Sequence, residues 1–209
     1  MDTAERRKME REQRVNSIIK AAEKLLSEKG YDSVSMEDIA KETGLATGTL
    51  YLYFDNKDEL FFTVISKYAK LFNEMTLEAE QKEEKGIDKV YAIEIALYKN
   101  FKSYPGFFRM LGNSSAIWNT KDQENVTQFF KIMNSNFILL RSAIEAGKKD
   151  GTIKKDIDPL KSTVFIMMSL SSIVNIQEGL IENIKASGMS HDDLILYVIK
   201  QLLDSLKAA

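Results

Sequence analysis

The sequence predicts an all-α protein of about nine helices. Three observations carry this. Only two of the 209 residues are proline, Pro105 and Pro159, so long helices can run without interruption. Apolar residues recur three and four apart through most of the chain, the period of a helix face. Capping residues or glycines bound these runs, and no stretch shows the apolar–polar alternation of a strand.

Val15, Ile18, Ile19, Ala22, Leu25 and Leu26 form the face of a first helix. Gly30 is expected to end it in a left-handed conformation. Ser35 with Asp38 reads as a capping-box start for a short second helix, closed by Thr43-Gly44. A third segment runs from about Ala46 to Phe54. Asn56 opens a fourth helix, with the stripe Leu60, Val64, Ile65, Tyr68 and Leu71, that ends near Glu80. The polar run from Gln81 to Gly86 is a loop. A fifth helix spans about Ile87 to Ser103. Pro105 suits the first turn of a sixth, which stops near Gly112-Asn113. Asn113 to Thr120 reads as loop, ending in a Thr120–Gln123 capping pair. A long helix then reaches about Lys149. Asp158-Pro159 starts a helix, apolar on nearly every side, that is expected to continue to about Ala186. Ser190 with Asp193 caps the last one.

Composition excludes several kinds of chemistry. There is no cysteine and one histidine, His191. Thiol catalysis, disulfide scaffolds and Cys-based metal sites are therefore ruled out, and a Ser-His-Asp triad is disfavoured. No metal site and no cofactor is expected. A di-metal helical-bundle enzyme needs Glu-x-x-His pairs, and no Glu lies three residues before His191. No apolar run approaches the ~18 residues of a membrane span. Met1 to Arg14 is charged and has no apolar signal core. The reading is a cytoplasmic protein with no membrane partner.

Residues 39 to 50 hold the first informative pattern. Ala40 stands four residues before Gly44, with Ile39, Leu45 and Leu50 around them. A small residue lets a second helix cross closely, the glycine makes the turn, and the apolar residues lock the crossing. This fits a helix-turn-helix, and an ordinary bundle corner fits the same spacing. The next segment offers Thr47, Gly48, Thr49, Tyr51 and Tyr53 outward. Threonine can bond base edges or pack on a thymine methyl, and glycine lets the backbone approach. Lys57 puts a cation at the start of the fourth helix, where phosphate is favoured.

Residues 31 to 61, and above all Gly48-Thr-Leu-Tyr-Leu-Tyr-Phe54 followed by Lys57 and Leu60, resemble the DNA-binding head of TetR-family transcriptional regulators. Gly151 to Pro159 also resembles that family's link into its penultimate helix. The resemblance implies that Ser35 touches phosphate, that Thr47, Gly48, Thr49 and Tyr51 face the major groove, and that Tyr53 and Lys57 bind backbone. It divides the chain into an arm and DNA-binding domain, 1–57, and a ligand-binding and dimerisation domain, 58–209. Asp55 departs from the family's usual basic or neutral residue, and is expected to point away from DNA or to cap the fourth helix.

Charge gives this reading little help. Residues 1–57 carry ten Lys and Arg against eleven Asp and Glu. Arg6, Arg7, Lys8, Arg11 and Arg14 cluster before the first core helix, interleaved with Glu5, Glu10 and Glu12. They fit a solvated helix end with i,i+4 pairs or an arm reaching phosphates or a minor groove. Recognition must therefore rest on positioned contacts.

The body is rich in aromatics: 14 of the 20 lie between Phe61 and Phe137. Core packing explains many of them, and the same types line apolar pockets. The resemblance implies a pocket for a small, mostly apolar effector. Candidate lining residues are Phe72, Tyr91, Phe101, Phe108, Trp118, Phe130, Met133, Phe137, Met167, Asn175 and Glu178. Asn136, Arg141 and Gln177 are further polar candidates. Helices 159–186 and 190–207 carry too much apolar surface for a monomer and predict a homodimer through residues 159–207. The expected function is that of a ligand-responsive regulator, a repressor that binds a palindromic double-stranded DNA operator as a dimer and is released by that effector. A constitutive DNA-binding dimer and a helical adaptor for protein contacts remain open.

Overall fold

A computed structural model describes residues 2–112, 123–176 and 178–208, apart from the side chains of Arg109 and Glu178. The chain is all-α, with ten helices and no strand among the described residues. They are α1 (Thr3–Lys29), α2 (Met36–Thr43), α3 (Thr47–Leu50), α4 (Lys57–Gln81), α5 (Gly86–Ser103), α6 (Pro105–Gly112), α7 (Gln123–Asp150), α8 (Pro159–Val174), α9 (Glu178–Ala186) and α10 (His191–Leu206). The expected Thr120 cap lies outside the described residues.

The expected caps account for most boundaries. The Asp38 N–H donates to Ser35 Oγ at 3.1 Å, and the Ser35 N–H returns a bond to Asp38 Oδ2 at 2.9 Å. Ser190 and Asp193 repeat this box at α10. Asp158 accepts from the Lys161 N–H at 3.0 Å, with Pro159 as the first helical residue. Asn56 accepts from the Glu59 N–H at 2.9 Å.

Helix α1 starts at Thr3, so the charged cluster is an exposed helix end, with Arg6 and Glu10 as an i,i+4 pair. Two expectations need correction. Gly30 has positive φ but extended ψ (79°, 163°), so it is not left-handed helical. The helix expected over 159–186 is broken into α8 and α9. Asn175 Nδ2 donates to the Ser171 carbonyl at 2.8 Å, alongside the Asn175 backbone N–H at 3.1 Å. An amide side chain that bonds its own helix competes with the backbone ladder.

By packing, the chain forms two compact units. The first comprises residues 1–69 and 104–131, the second residues 70–103 and 132–209. The core of the first includes Ile18, Leu26, Ile39, Leu50, Leu60 and Phe61, all fully buried. The second is built on Val90, Ile93, Leu140, Ile144, Ile166, Ile195 and Ile199. Within the second unit α5 and α7 meet at glycines. A Cβ at Gly86 would fall on the Gly147 backbone, so only hydrogen fits there. The link after α7 pairs back on the chain end: Lys154 N–H donates to the Leu206 carbonyl, and Ala208 N–H to that of Thr152, both at 3.0 Å.

Candidate nucleic-acid interface

The turn between α2 and α3 follows the sequence expectation. Gly44 is left-handed (φ 71°, ψ 18°), Ala40 is buried, and the Leu45 N–H donates to the Ala40 carbonyl at 3.0 Å. Helix α3 is a single turn. The chain beyond it stays coiled through bonds from the Tyr53 and Phe54 N–H groups to the Leu50 carbonyl. Leu50 and Phe54 point into the core and fix which residues face out.

Gly48 and Tyr51 are exposed, and Ser35, Thr47, Thr49, Tyr53 and Lys57 are half-buried. Nothing lies within 4 Å of where a Gly48 Cβ would sit, so packing does not require a glycine there. Tyr53 lies under the Arg11 guanidinium, 5.6 Å from its ring centre, which gives the basic cluster of α1 a contact at this face. The Asp38 carboxyl is held below its ordinary pKa, first by the Ser35 hydroxyl and then by the Ser35 N–H. Asp55 is exposed and donates its N–H to Glu59 Oε2 at 2.7 Å, while Asn56 supplies the helix cap.

Lys57 has partners that spacing alone does not reveal. Its ammonium donates to the carbonyls of Tyr31 and Val34, each at 2.9 Å, and sits 3.9 Å from the Tyr31 ring centre. These bonds use two of its three donors. The Tyr31 hydroxyl bonds Asp58, and burial, with that carboxylate, pushes the phenol pKa well above its ordinary value. Lys57 and Asp58 thereby tie the α1–α2 connection to the start of α4. Leu52, 76% exposed, was not singled out from sequence. Its position next to outward Tyr51 was the available signal.

The candidate pocket residues are dispersed. Phe72 is buried; Phe101, Phe108, Met133, Phe137 and Met167 are half-buried. Tyr91, Phe130 and Asn175 are exposed. Phe108 and Phe130 belong to the first unit, and the other described candidates to the second. Trp118, Gln177 and the Glu178 side chain lie outside the described residues. Asn136 is buried, whereas Arg141 is exposed and paired with Glu145 at 3.0 Å.

Sequence reasoning missed Glu94. It is 0% exposed, neither carboxylate oxygen has a hydrogen-bond partner among the described residues, and burial raises its pKa to about 8. The signal was present, since Glu94 falls in phase with Val90, Leu97 and Phe101 on the apolar stripe of α5. No cluster of three or more potential metal ligands occurs among the described residues, and no single helix is long and apolar enough to cross a membrane.

Residues 18–64 match the family described as bacterial regulatory proteins, tetR family. An uncharacterized HTH-type transcriptional regulator, YhgD of Bacillus subtilis, is 29% identical over 156 residues, 73% of this chain and 78% of that one. A solved bacterial regulatory protein in the tetR family from Rhodococcus RHA1 superposes with a TM-score of 0.75 at 14% identity, over 94% of this chain and 98% of the other. The transcriptional regulator FadR from Bacillus subtilis, in complex with stearoyl-CoA, gives 0.72 at 20% identity over 90% and 97%. Residues 18–64 thus match the DNA-binding region of the tetR family, and the chain shares the all-α fold of solved proteins of that family.

Proposed function

We propose that the chain acts in the cytoplasm as a homodimeric repressor of a palindromic operator, released by a small effector. Residues 1–57 form the DNA-binding domain and 58–209 the effector and dimerisation domain. The observation that carries the reading is the outward set Thr47, Gly48, Thr49 and Tyr51 on a segment anchored by Leu50 and Phe54. These groups suit base edges and phosphates, while Ser35, Tyr53 and Lys57 border them. Two heads would read successive major grooves, about 34–36 Å apart or a multiple of that.

Dimerisation through residues 159–207 is supported by the apolar surface that α8 exposes. Phe165 is 61% and Met168 65% exposed, and with Leu160, Val164, Ser169 and Ser172 they line one groove. Leu196 and Tyr197 on α10 are exposed too. An effector with a large apolar part is supported by the aromatic content of the body and by the stearoyl-CoA bound to one relative in fold. Release requires that the effector bind the conformation unable to hold DNA more tightly than the other.

Selection of operator fragments from the source genome, followed by anisotropy titration, tests the reading. Thr49→Ala and Tyr51→Ala should each weaken specific binding about tenfold, roughly the loss of one good base or phosphate contact. Unchanged affinity in both variants would remove the recognition-helix assignment.

A further inference from the structure

Six buried side-chain polar atoms among the described residues have no hydrogen-bond partner, and all six belong to the second unit. They are Asn73 Oδ1 on α4, both carboxylate oxygens of Glu94 and both amide atoms of Asn100 on α5, and Asn136 Oδ1 on α7. Buried polar groups are nearly always paired, because an unpaired one loses its water bonds without replacement. The imbalance is chemical as well as numerical: five of these atoms are oxygens and one is a nitrogen. Their complement is a donor-rich molecule.

The surroundings narrow its chemistry. Glu94 and Asn100 are both fully buried on one helix, six residues and about 9 Å apart along its axis. Half-buried Leu97 and Phe101 share that helix with them. Asn73 already donates its amide to the Ile132 carbonyl at 2.6 Å, which fixes its oxygen as the unpaired end. Among the described residues, no Lys, Arg or His is hydrogen-bonded or ion-paired to Glu94. A buried carboxylate without a counter-charge is costly, and a cation brought in by a ligand offsets that cost.

We infer that the interior of the second unit binds an amphipathic amine, with Glu94 as the counter-charge to its ammonium group. The inference rests on the regulatory reading above for its biological role and names the effector class. It differs from a simple acyl chain, which offers Glu94 no donor.

The test uses the full chain and three probes of equal length: n-decylamine, decanoate and decanol, each below its aggregation concentration. Calorimetry at pH 7 is run in two buffers of different ionisation enthalpy. Decylamine should bind at least tenfold more tightly than the other two. Because Glu94 is mostly protonated at pH 7 when its pKa is about 8, ion pairing should release close to one proton per chain. Glu94→Gln should lower decylamine affinity at least tenfold and abolish proton release, leaving decanol binding unchanged. Equal binding of the three probes, no binding of decylamine, or an undiminished affinity in Glu94→Gln overturns the inference. The comparison of probes needs only the unmodified chain, so a poorly folding variant does not decide it. Operator affinity measured in parallel reports on the regulatory reading separately: a chain that binds decylamine but no DNA keeps this site and loses that reading.

Discussion

The two units treat their polar groups in opposite ways. In the first, the ammonium of Lys57 is bonded to two carbonyls, Tyr31 to Asp58, and Ser35 to Asp38. In the second, the side chains of Glu94 and Asn100 are buried with no hydrogen-bond partner among the described residues. A polar group fixed by its neighbours holds a surface in one geometry. A buried polar group without a partner makes the fold more dependent on protonation and on what binds. Under the proposed function, the first arrangement would hold the DNA-facing residues in one geometry and the second would respond to what binds.

The largest test of this contrast is pH. The folded-state pKa of Glu94 is raised from 4.5 to about 8 by burial. The folded chain therefore holds a proton that the unfolded chain loses between these values. Its contribution to stability is fully present below pH 4.5 and is lost as pH rises through 8. Chemical denaturation should show a decline on the order of 4 kcal/mol across that window. Glu94→Gln should remove this slope. A slope shared equally by both proteins would assign it to other groups.

Gly86→Ala sharpens the contrast by injuring one unit alone. Its Cβ would meet the backbone of Gly147, which cannot move aside as a side-chain tip can. The expected cost is about 3 kcal/mol, from an overpacked crossing. Hydrogen exchange should increase in the second-unit core around Val90, Ile93 and Ile144 well beyond the change around Ile39 and Leu50. Equal losses in both would mean that the two units unfold together.

Lys57→Met is the counterpart in the first unit. It keeps the apolar stem but leaves the Tyr31 and Val34 carbonyls without their shared donor. Because Lys57 is half-exposed, water can replace part of these bonds, and a loss of about 1–2 kcal/mol is expected. DNA affinity should fall with it if the lysine positions the α1–α2 connection or meets phosphate. Lys57→Arg separates these roles: a guanidinium retains the charge but fits the two carbonyls poorly.

The legibility of these features in the sequence follows the range of the forces involved. Ser35, Asn56, Asp158 and Ser190 mark helix starts because a cap is satisfied within three residues. Gly44 is legible because its backbone conformation excludes most other residues. The break after Val174 was hidden by an apolar pattern that continued past it. Residues 3–14 lack an apolar stripe, yet they extend α1. The partners of Lys57 lie 23 and 26 residues away and depend on the folded head. Spacing anticipated the exposure of Gly48 and Tyr51 but not that of Leu52, and Thr47, Thr49 and Tyr53 are half-buried. Glu94 could have been found, since a carboxylate in phase with an apolar stripe is a visible conflict between local chemistry and the fold.

Gly48→Ala has the smallest expected effect on stability and the cleanest interpretation. The position lies in α3, has no special backbone requirement, and has open space where a Cβ would sit. Alanine is a better helix former than glycine, so the free protein should gain up to about 1 kcal/mol. A methyl at this exposed point would still obstruct a closely approaching DNA backbone or base edge. Thermal unfolding should therefore rise slightly while operator affinity falls, a pair of opposite changes that general misfolding cannot produce. If affinity instead holds or improves with stability, Gly48 does not face the groove, and the head must read its operator through Thr49, Tyr51 and their neighbours.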